Sequence, residues 1–136
     1  MVMIKAVETQ LMFVGSAEEA MMSYVDALGG EVLVLERYPE EHPSQAGQVL
    51  RAVFTIGSQR FACIDSADVH DFNFTPSTSI FVEMSSEAEI REKYELLAAG
   101  GKALMPLDNY GFSDLFVWFD DRFGVSWQLS YTNDAA

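Results

Sequence analysis

The sequence predicts an α+β fold built from two tandem β-α-β-β-β modules. Two helix-start signatures, Ser16-Ala17-Glu18-Glu19 and Ser86-Glu87-Ala88-Glu89, recur 70 positions apart. A glycine pair, Gly29-Gly30 or Gly100-Gly101, follows each serine after 13 or 14 positions. Around both stretches stand strand-like runs in the same order, one before the helix and three after it.

The first module opens with the strand-like run Val7–Val14. Ser16 and Glu19 then have the spacing of a capping box, in which hydroxyl and carboxylate each satisfy a free amide of a helix start. Ala17, Ala20, Met21, Tyr24, Val25 and Leu28 recur at helical spacing and form one apolar stripe. Gly29-Gly30 ends the helix, because glycine takes the left-handed conformation that a helix terminus needs. A strand over Glu31–Tyr38 follows, then the loop Pro39–Gln48, whose Pro39, Pro43 and Gly47 predict an exposed, mobile segment. Val49–Ile56 and Arg60–Asp65 flank the turn Gly57-Ser58-Gln59 and close the module as a hairpin.

The second module repeats the plan. Ser77–Met84 is its first strand, and Ile90, Tyr94 and Leu97 line one face of its helix. Lys102–Leu107 comes next, and Leu115–Phe119 and Val125–Tyr131 flank Asp120-Asp121-Arg122-Phe123-Gly124. These runs are rich in β-branched and aromatic residues, and their turns in Gly, Asp and Ser. The chain therefore reads as a single domain, 1–136, with modules 1–66 and 77–132 joined by a linker, 67–76, that carries His70, Phe72 and Phe74. Each sheet has one side for its helix, and the opposite faces are expected to curl around a shared cleft.

Composition narrows the partners. A chain of 136 residues, 49% hydrophobic and 21% charged, is an ordinary globular domain with an adequate core. Its 21 acidic against 8 basic residues give a net charge of −13. Such a surface repels phosphate backbones and anionic lipid, so neither nucleic acid nor membrane is expected as a partner. The single cysteine, Cys63, excludes an internal disulfide framework and fits a reducing compartment. Met1-Val2-Met3-Ile4-Lys5 lacks the pattern of a signal peptide, and no apolar run reaches membrane-spanning length. A cytoplasmic location is expected.

The local wording carries a family resemblance. Phe13-Val14-Gly15-Ser16-Ala17-Glu18-Glu19-Ala20 with Tyr24, Arg37-Tyr38-Pro39 with Gly47 to Val49, and above all Asp121-Arg122-Phe123-Gly124-Val125-Ser126-Trp127-Gln128-Leu129 resemble the PhnB-like group. That group, whose domain is often labelled 3-demethylubiquinone 3-methyltransferase, belongs to the vicinal-oxygen-chelate (glyoxalase and bleomycin-resistance) superfamily. The resemblance spans Val7 to Leu129 and implies the glyoxalase-like fold: a curved mixed sheet around a cleft. In metal-dependent members of the superfamily, ligands come from the first and last strands of each half. By the resemblance those positions fall at Thr9, at Thr78, at Gln128 and near Cys63 to Asp65. Neutral hydroxyls and an amide are poor ligands for a transition metal, which prefers imidazole, carboxylate or thiolate. His42 and His70, the two histidines, fall in loops. No metal and no cofactor are therefore expected. Methyl transfer draws no support from the glycines, which follow helices instead of opening them as a nucleotide-derived cofactor would require.

The cleft is instead expected to bind an unidentified small molecule. Strand alternation would set Ser126 and Ser130 beside Gln128 and turn Val125, Trp127 and Leu129 to the helix, with Thr9, Leu11 and Phe13 entering the cleft from the first strand. Cys63, Asp65 and His70 complete that side. Phe72 and Phe74 in the linker, with Tyr110 and Phe112 in the loop Asp108–Asp114, would close the mouth or pack as a satellite core. Among the other reactive groups, Cys63 reads as a buried thiol, Asp120-Asp121 as turn chemistry and Glu18-Glu19 as charge suited to a helix start. No catalytic constellation emerges. Two alternatives stay open: a divalent-metal-dependent lyase, isomerase or dioxygenase, and a drug-sequestering protein that holds a cation between acidic walls. The superfamily also implies a homodimer, and closed two-fold pairing is the commonest soluble assembly.

Overall fold

The computed structural model describes residues 1–133 and contains every predicted element. In chain order these are β1 (Thr9–Phe13), α1 (Ala17–Leu28), β2 (Val32–Arg37), β3 (Val49–Ile56), β4 (Gln59–Asp65), β5 (Ile80–Met84), α2 (Glu87–Ala98), β6 (Lys102–Asp108), β7 (Leu115–Asp120) and β8 (Ser126–Tyr131). Both opening strands are shorter than expected, because each begins only where it meets a neighbour: Thr9 opposite Phe61, and Ile80 opposite Trp127.

The chain forms two compact units, Met1–His70 and the remainder from Asp71. Each holds one four-stranded sheet of the same order, β1-β4-β3-β2 and β5-β8-β7-β6. In both, the first strand runs parallel to the last and the other pairings are antiparallel. The sheets are therefore mixed, and the internal repeat is real. Among the described residues no helix is long and apolar enough to cross a membrane.

Each helix buries its stripe on its own sheet. In the first unit Ala17, Ala20, Met21 and Tyr24 are buried, and the Tyr24 ring lies 6.4 Å from Phe54, which stacks on Phe61 at 5.5 Å. In the second unit Ile90 and Leu97 are buried and Tyr94 meets Phe119 edge-on at 5.2 Å. Trp127, Phe119 and Leu129 are shut off from solvent. Full burial of such side chains contributes roughly 1.5–3 kcal/mol each, and this is the main reason the helices stay in place.

The glycine pairs divide their work. Gly29 (φ 75°) and Gly100 (φ 79°) take the left-handed conformation at the two helix ends. Gly30 and Gly101 serve close approach instead. A Cβ on Gly30 would lie 1.7 Å from the Thr55 carbonyl oxygen, and one on Gly101 2.1 Å from that of Asp120.

Two expectations need correction. The capping box at Ser16 does not form: Ser16 makes no side-chain cap, and the Asp65 Oδ1 accepts from the amides of Gly15 at 2.8 Å and Ala17 at 3.0 Å. A carboxylate delivered by the end of β4 is the stronger acceptor and displaces the hydroxyl. In α2 the serine does cap, with Ser86 Oγ accepting from the Glu89 amide at 3.1 Å. The loop Pro39–Gln48 is also not a loose segment. Tyr38 donates its amide to Gln48 O at 2.9 Å, and Gln45 Nε2 donates to Asp65 O at 2.9 Å. His42 Nδ1 accepts the Gln45 amide at 2.9 Å, which folds the loop on itself.

Candidate functional site

Register decides which face of each sheet is free. In the first unit Tyr24 of α1 packs towards Phe54, Phe54 stands opposite Phe61, and Phe61 stands opposite Thr9. Side chains paired this way share a face, and alternate residues follow them. Thr9, Leu11, Phe13, Cys63 and Asp65 therefore lie on the helix side, the reverse of the cleft-facing placement expected for them. The physical reason is that Leu11 and Phe13, at 7% and 3% exposure, are the core residues of β1. Gln10 and Met12 turn to the helix-free face with Ala62 and Ile64.

Asp65 is a structural carboxylate. Besides the two amides before α1, its Oδ2 accepts from Val49 at 2.9 Å, so three backbone donors surround a side chain that is 1% exposed. Cys63 is buried, and burial, aided by the nearby Asp65 charge, pushes its thiol up to about 12. It stays protonated and cannot serve as a nucleophile near neutrality.

In the second unit the alternation runs as expected. Phe119 packs on α2 and pairs with Trp127, so Trp127 and Leu129 face the helix. Gln128 faces away from it, with Ser126 and Ser130 on either side. Gln128 Nε2 donates to Ser79 Oγ at 3.0 Å. Phe81, directly opposite Gln128 on β5, is 58% exposed. Trp118, paired with Gln128 across β7, donates its indole N–H to Ser126 Oγ at 2.8 Å. Counting back four residues from the last ladder pair makes Ile80 the counterpart of Thr9; Thr78 lies outside β5 and is exposed. The residues missed by sequence are therefore Ser79, Phe81 and Trp118. The phase of β5 shows only in its burial, with Met84 buried, Ile80 and Val82 half-buried and Phe81 and Glu83 exposed.

Tyr110 and Phe112 stack at 6.0 Å, and both meet Phe116 edge-on, at 5.9 and 4.9 Å. Phe116 stands opposite Ser130, on the helix-free face. Ser113 ties this loop to β8, with its hydroxyl 2.8 Å from Ser130 Oγ and donating to Tyr131 O at 2.9 Å. Phe112 nonetheless remains 63% exposed. Phe74 is half-buried against Gly124, while Phe72 and His70 are exposed. Asp121 does turn chemistry: its Oδ1 accepts from Phe123 and Val125 and its Oδ2 from the Trp127 indole, at 2.8, 3.0 and 2.9 Å.

Neither of the groups that the superfamily or its methyltransferase label implies finds a fitting set of residues. On the helix-free faces, the first and last strands offer Gln10, Met12, Arg60, Ala62 and Ile64 in the first unit, and Phe81, Glu83, Ser126, Gln128 and Ser130 in the second. Neither face, taken by itself, is a transition-metal donor set, since the first has no anionic or imidazole ligand and the second a single carboxylate. Among the described residues no group of three or more His, Cys, Asp or Glu could hold a metal ion. For a nucleotide-derived cofactor the strand-to-helix junctions are already spoken for, since the Asp65 carboxylate takes the amides before α1 and Ser86 caps α2.

A family profile described as 3-demethylubiquinone-9 3-methyltransferase matches residues 5–130. The chain belongs to that family. A solved PhnB protein from Bacillus cereus is 43% identical, with 94% of this chain and 100% of that one covered and a TM-score of 0.89. Protein PA1353 from Pseudomonas aeruginosa is 27% identical over 96% of this chain and 100% of its own, with a TM-score of 0.82. A glyoxylase/bleomycin resistance protein/dioxygenase domain from Frankia sp. EAN1pec is 14% identical, covering 98% and 96%, with a TM-score of 0.67. That last likeness establishes the glyoxalase-type fold. No curated protein matches the chain. This PhnB-like chain thus carries amides, hydroxyls and aromatic rings on the helix-free face of its second sheet.

Proposed function

We propose that this PhnB-like protein binds a small, largely apolar molecule on the helix-free face of its second sheet, without a metal ion. The observation that carries the reading is Phe81, more than half exposed beside the Gln128–Ser79 amide–hydroxyl pair. An apolar surface with a few oriented polar groups is the usual chemistry of a small-molecule site. Trp118 and the stack of Tyr110 and Phe112 on Phe116 extend the aromatic surface. Phe72 and Phe74, from the same unit, remain candidates for its border. Catalysis is not part of the proposal, because the carboxylate on this face, Glu83, is exposed and no nucleophile or fitting metal set accompanies it among the described residues.

The test has two parts. Protein purified without chelator, then incubated with zinc, nickel, manganese and iron(II), is assayed for bound metal; near-stoichiometric retention sinks the metal-free reading. A thermal-shift screen of planar aromatic compounds on wild type, Phe81→Ala and Gln128→Ala then tests the surface. Hits should stabilise wild type and lose their effect in both variants. Hits that persist undiminished in both variants move the site elsewhere.

The proposal extends to a homodimer in the cytoplasm. Two-fold pairing is the commonest assembly of soluble chains, and one buried, protonated cysteine suits a reducing compartment. Light scattering that gives a monomer at micromolar concentration defeats the dimer.

A further inference from the structure

The first unit carries a second cluster on its helix-free face that the reading above leaves unused. Arg60 stands opposite Thr55, one position from the Phe54–Phe61 pair that faces α1, so it points away from the helix. Glu8, one residue before Thr9, points the same way. Arg60 Nε and Nη2 both donate to a single oxygen, Glu8 Oε2, at 3.0 and 2.7 Å. The other oxygen, Oε1, lies 3.6 Å from Arg51 Nη2, too far for a hydrogen bond. Glu36 is the cross-strand partner of Arg51 but makes no ion pair with it. The Arg51 guanidinium, with five donors, thus has no protein acceptor within hydrogen-bond distance among the described residues.

We propose that Arg51 and Arg60 form a binding seat for the carboxylate of a small organic ligand, in which the chain's own Glu8 is the resident stand-in. Three features support this. Glu8 hydrogen-bonds Arg60 through one oxygen and reaches Arg51 with the other only at ion-pair distance, so the Arg51 donors are left for an acceptor that comes closer. Glu8 is only 15% exposed at its side chain, against 47% and 43% for Arg51 and Arg60, so the anion sits inward and the donors face out. Glu8 also lies just before β1, whose first residue is Thr9. Half-exposed ion pairs are weak, whereas a planar carboxylate meeting an arginine fork in two parallel bonds is among the stronger polar contacts. Two of the eight basic residues of a chain with a net charge of −13 gather at this spot. The seat rests on the first unit alone and does not depend on Phe81 or Gln128.

The test uses benzoate as the probe and benzamide as its uncharged counterpart, by calorimetry on the full chain at fixed ionic strength. Glu8→Gln should bind benzoate about ten-fold more tightly than wild type, and adding Arg51→Gln should remove that gain. Benzamide should not bind. Equal affinity in wild type and Glu8→Gln, a gain that survives Arg51→Gln, or equal binding of benzamide overturns the proposal. Should Glu8→Gln fail to fold, the Nε–H resonances of Arg51 and Arg60 in wild type decide. Saturable shifts with benzoate, suppressed by added salt, support the seat, and unmoved resonances refute it.

Discussion

Asp65 accepts the Ala17 amide hydrogen at 3.0 Å, so the last strand of the first unit caps that unit's own helix. The same carboxylate takes Gly15 and Val49, and its backbone oxygen takes Gln45 Nε2 and the Tyr38 hydroxyl. One residue thereby ties together the start of α1, the start of β3 and the loop between β2 and β3.

Removing that carboxylate should be costly. Hydrogen bonds to a charged group contribute about 1.5–3 kcal/mol each, and three amides, those of Ala17 and Val49 buried, would lose their acceptor. Asp65→Ala is expected to destabilise by about 3–5 kcal/mol in urea unfolding, and Asp65→Asn by less. Ser16→Ala should cost about 0.5 kcal/mol or less, whereas Ser86→Ala should cost about 1 kcal/mol, since only Ser86 caps.

Glycine substitutions should separate by position. Gly30→Ala puts a methyl group 1.7 Å from the Thr55 carbonyl oxygen, a backbone atom that cannot step aside alone. A loss of about 3 kcal/mol is expected from overpacking. At Gly47 (φ 78°) a Cβ meets nothing within 4 Å, so Gly47→Ala carries backbone strain alone and should cost about 1 kcal/mol. Parallel thermal melts of the two variants check the order.

Cys63 should make the protein sensitive to alkali. Its thiol is raised from an ordinary 9.0 to about 12 in the folded chain. The unfolded chain therefore sheds this proton first as pH rises. Its contribution to stability is complete below pH 9 and declines by about 1.4 kcal/mol per pH unit until the folded thiol also ionises near 12. Cys63→Ala should flatten that part of the stability–pH curve. In the native protein at pH 8, a disulfide exchange reagent should react with Cys63 only after denaturant is added.

The aromatic stack should split into a structural and a displayed part. Phe116, 3% exposed, is core, and Phe116→Ala should cost about 3–5 kcal/mol. Phe112, 63% exposed, should cost under about 1 kcal/mol when cut to alanine. Equal losses in urea titrations would mean that Phe112 is core as well.

The repeat was legible because it is written in local chemistry: serine and glutamate at helix starts, glycine at helix ends, turns of glycine and aspartate. The face of β8 was legible too, since Trp127 and Leu129 flank Gln128 and mark the buried side. The face of β1 was not. Thr9-Gln10-Leu11-Met12-Phe13 is apolar at three consecutive positions, so alternation has no unique phase there, and only the pairing with Phe61 and Asp65 fixes it. The capping role of Asp65 was invisible for a related reason. It joins residues 48 and 50 positions apart, a distance over which local patterns carry no information.

The parallel pairing of first strand with last also governs when each sheet can close. Thr9 meets Phe61 and Ile80 meets Trp127, so the opening strand of each unit must wait for the closing one. On the ribosome neither β1 nor β5 finds its neighbour until its whole unit has been synthesised, while the β3–β4 and β7–β8 hairpins can form from adjacent sequence. Hairpins zip quickly and distant pairings slowly. The nascent chain should therefore carry an unpaired first strand through most of its synthesis, and the rate of closing that strand should limit folding.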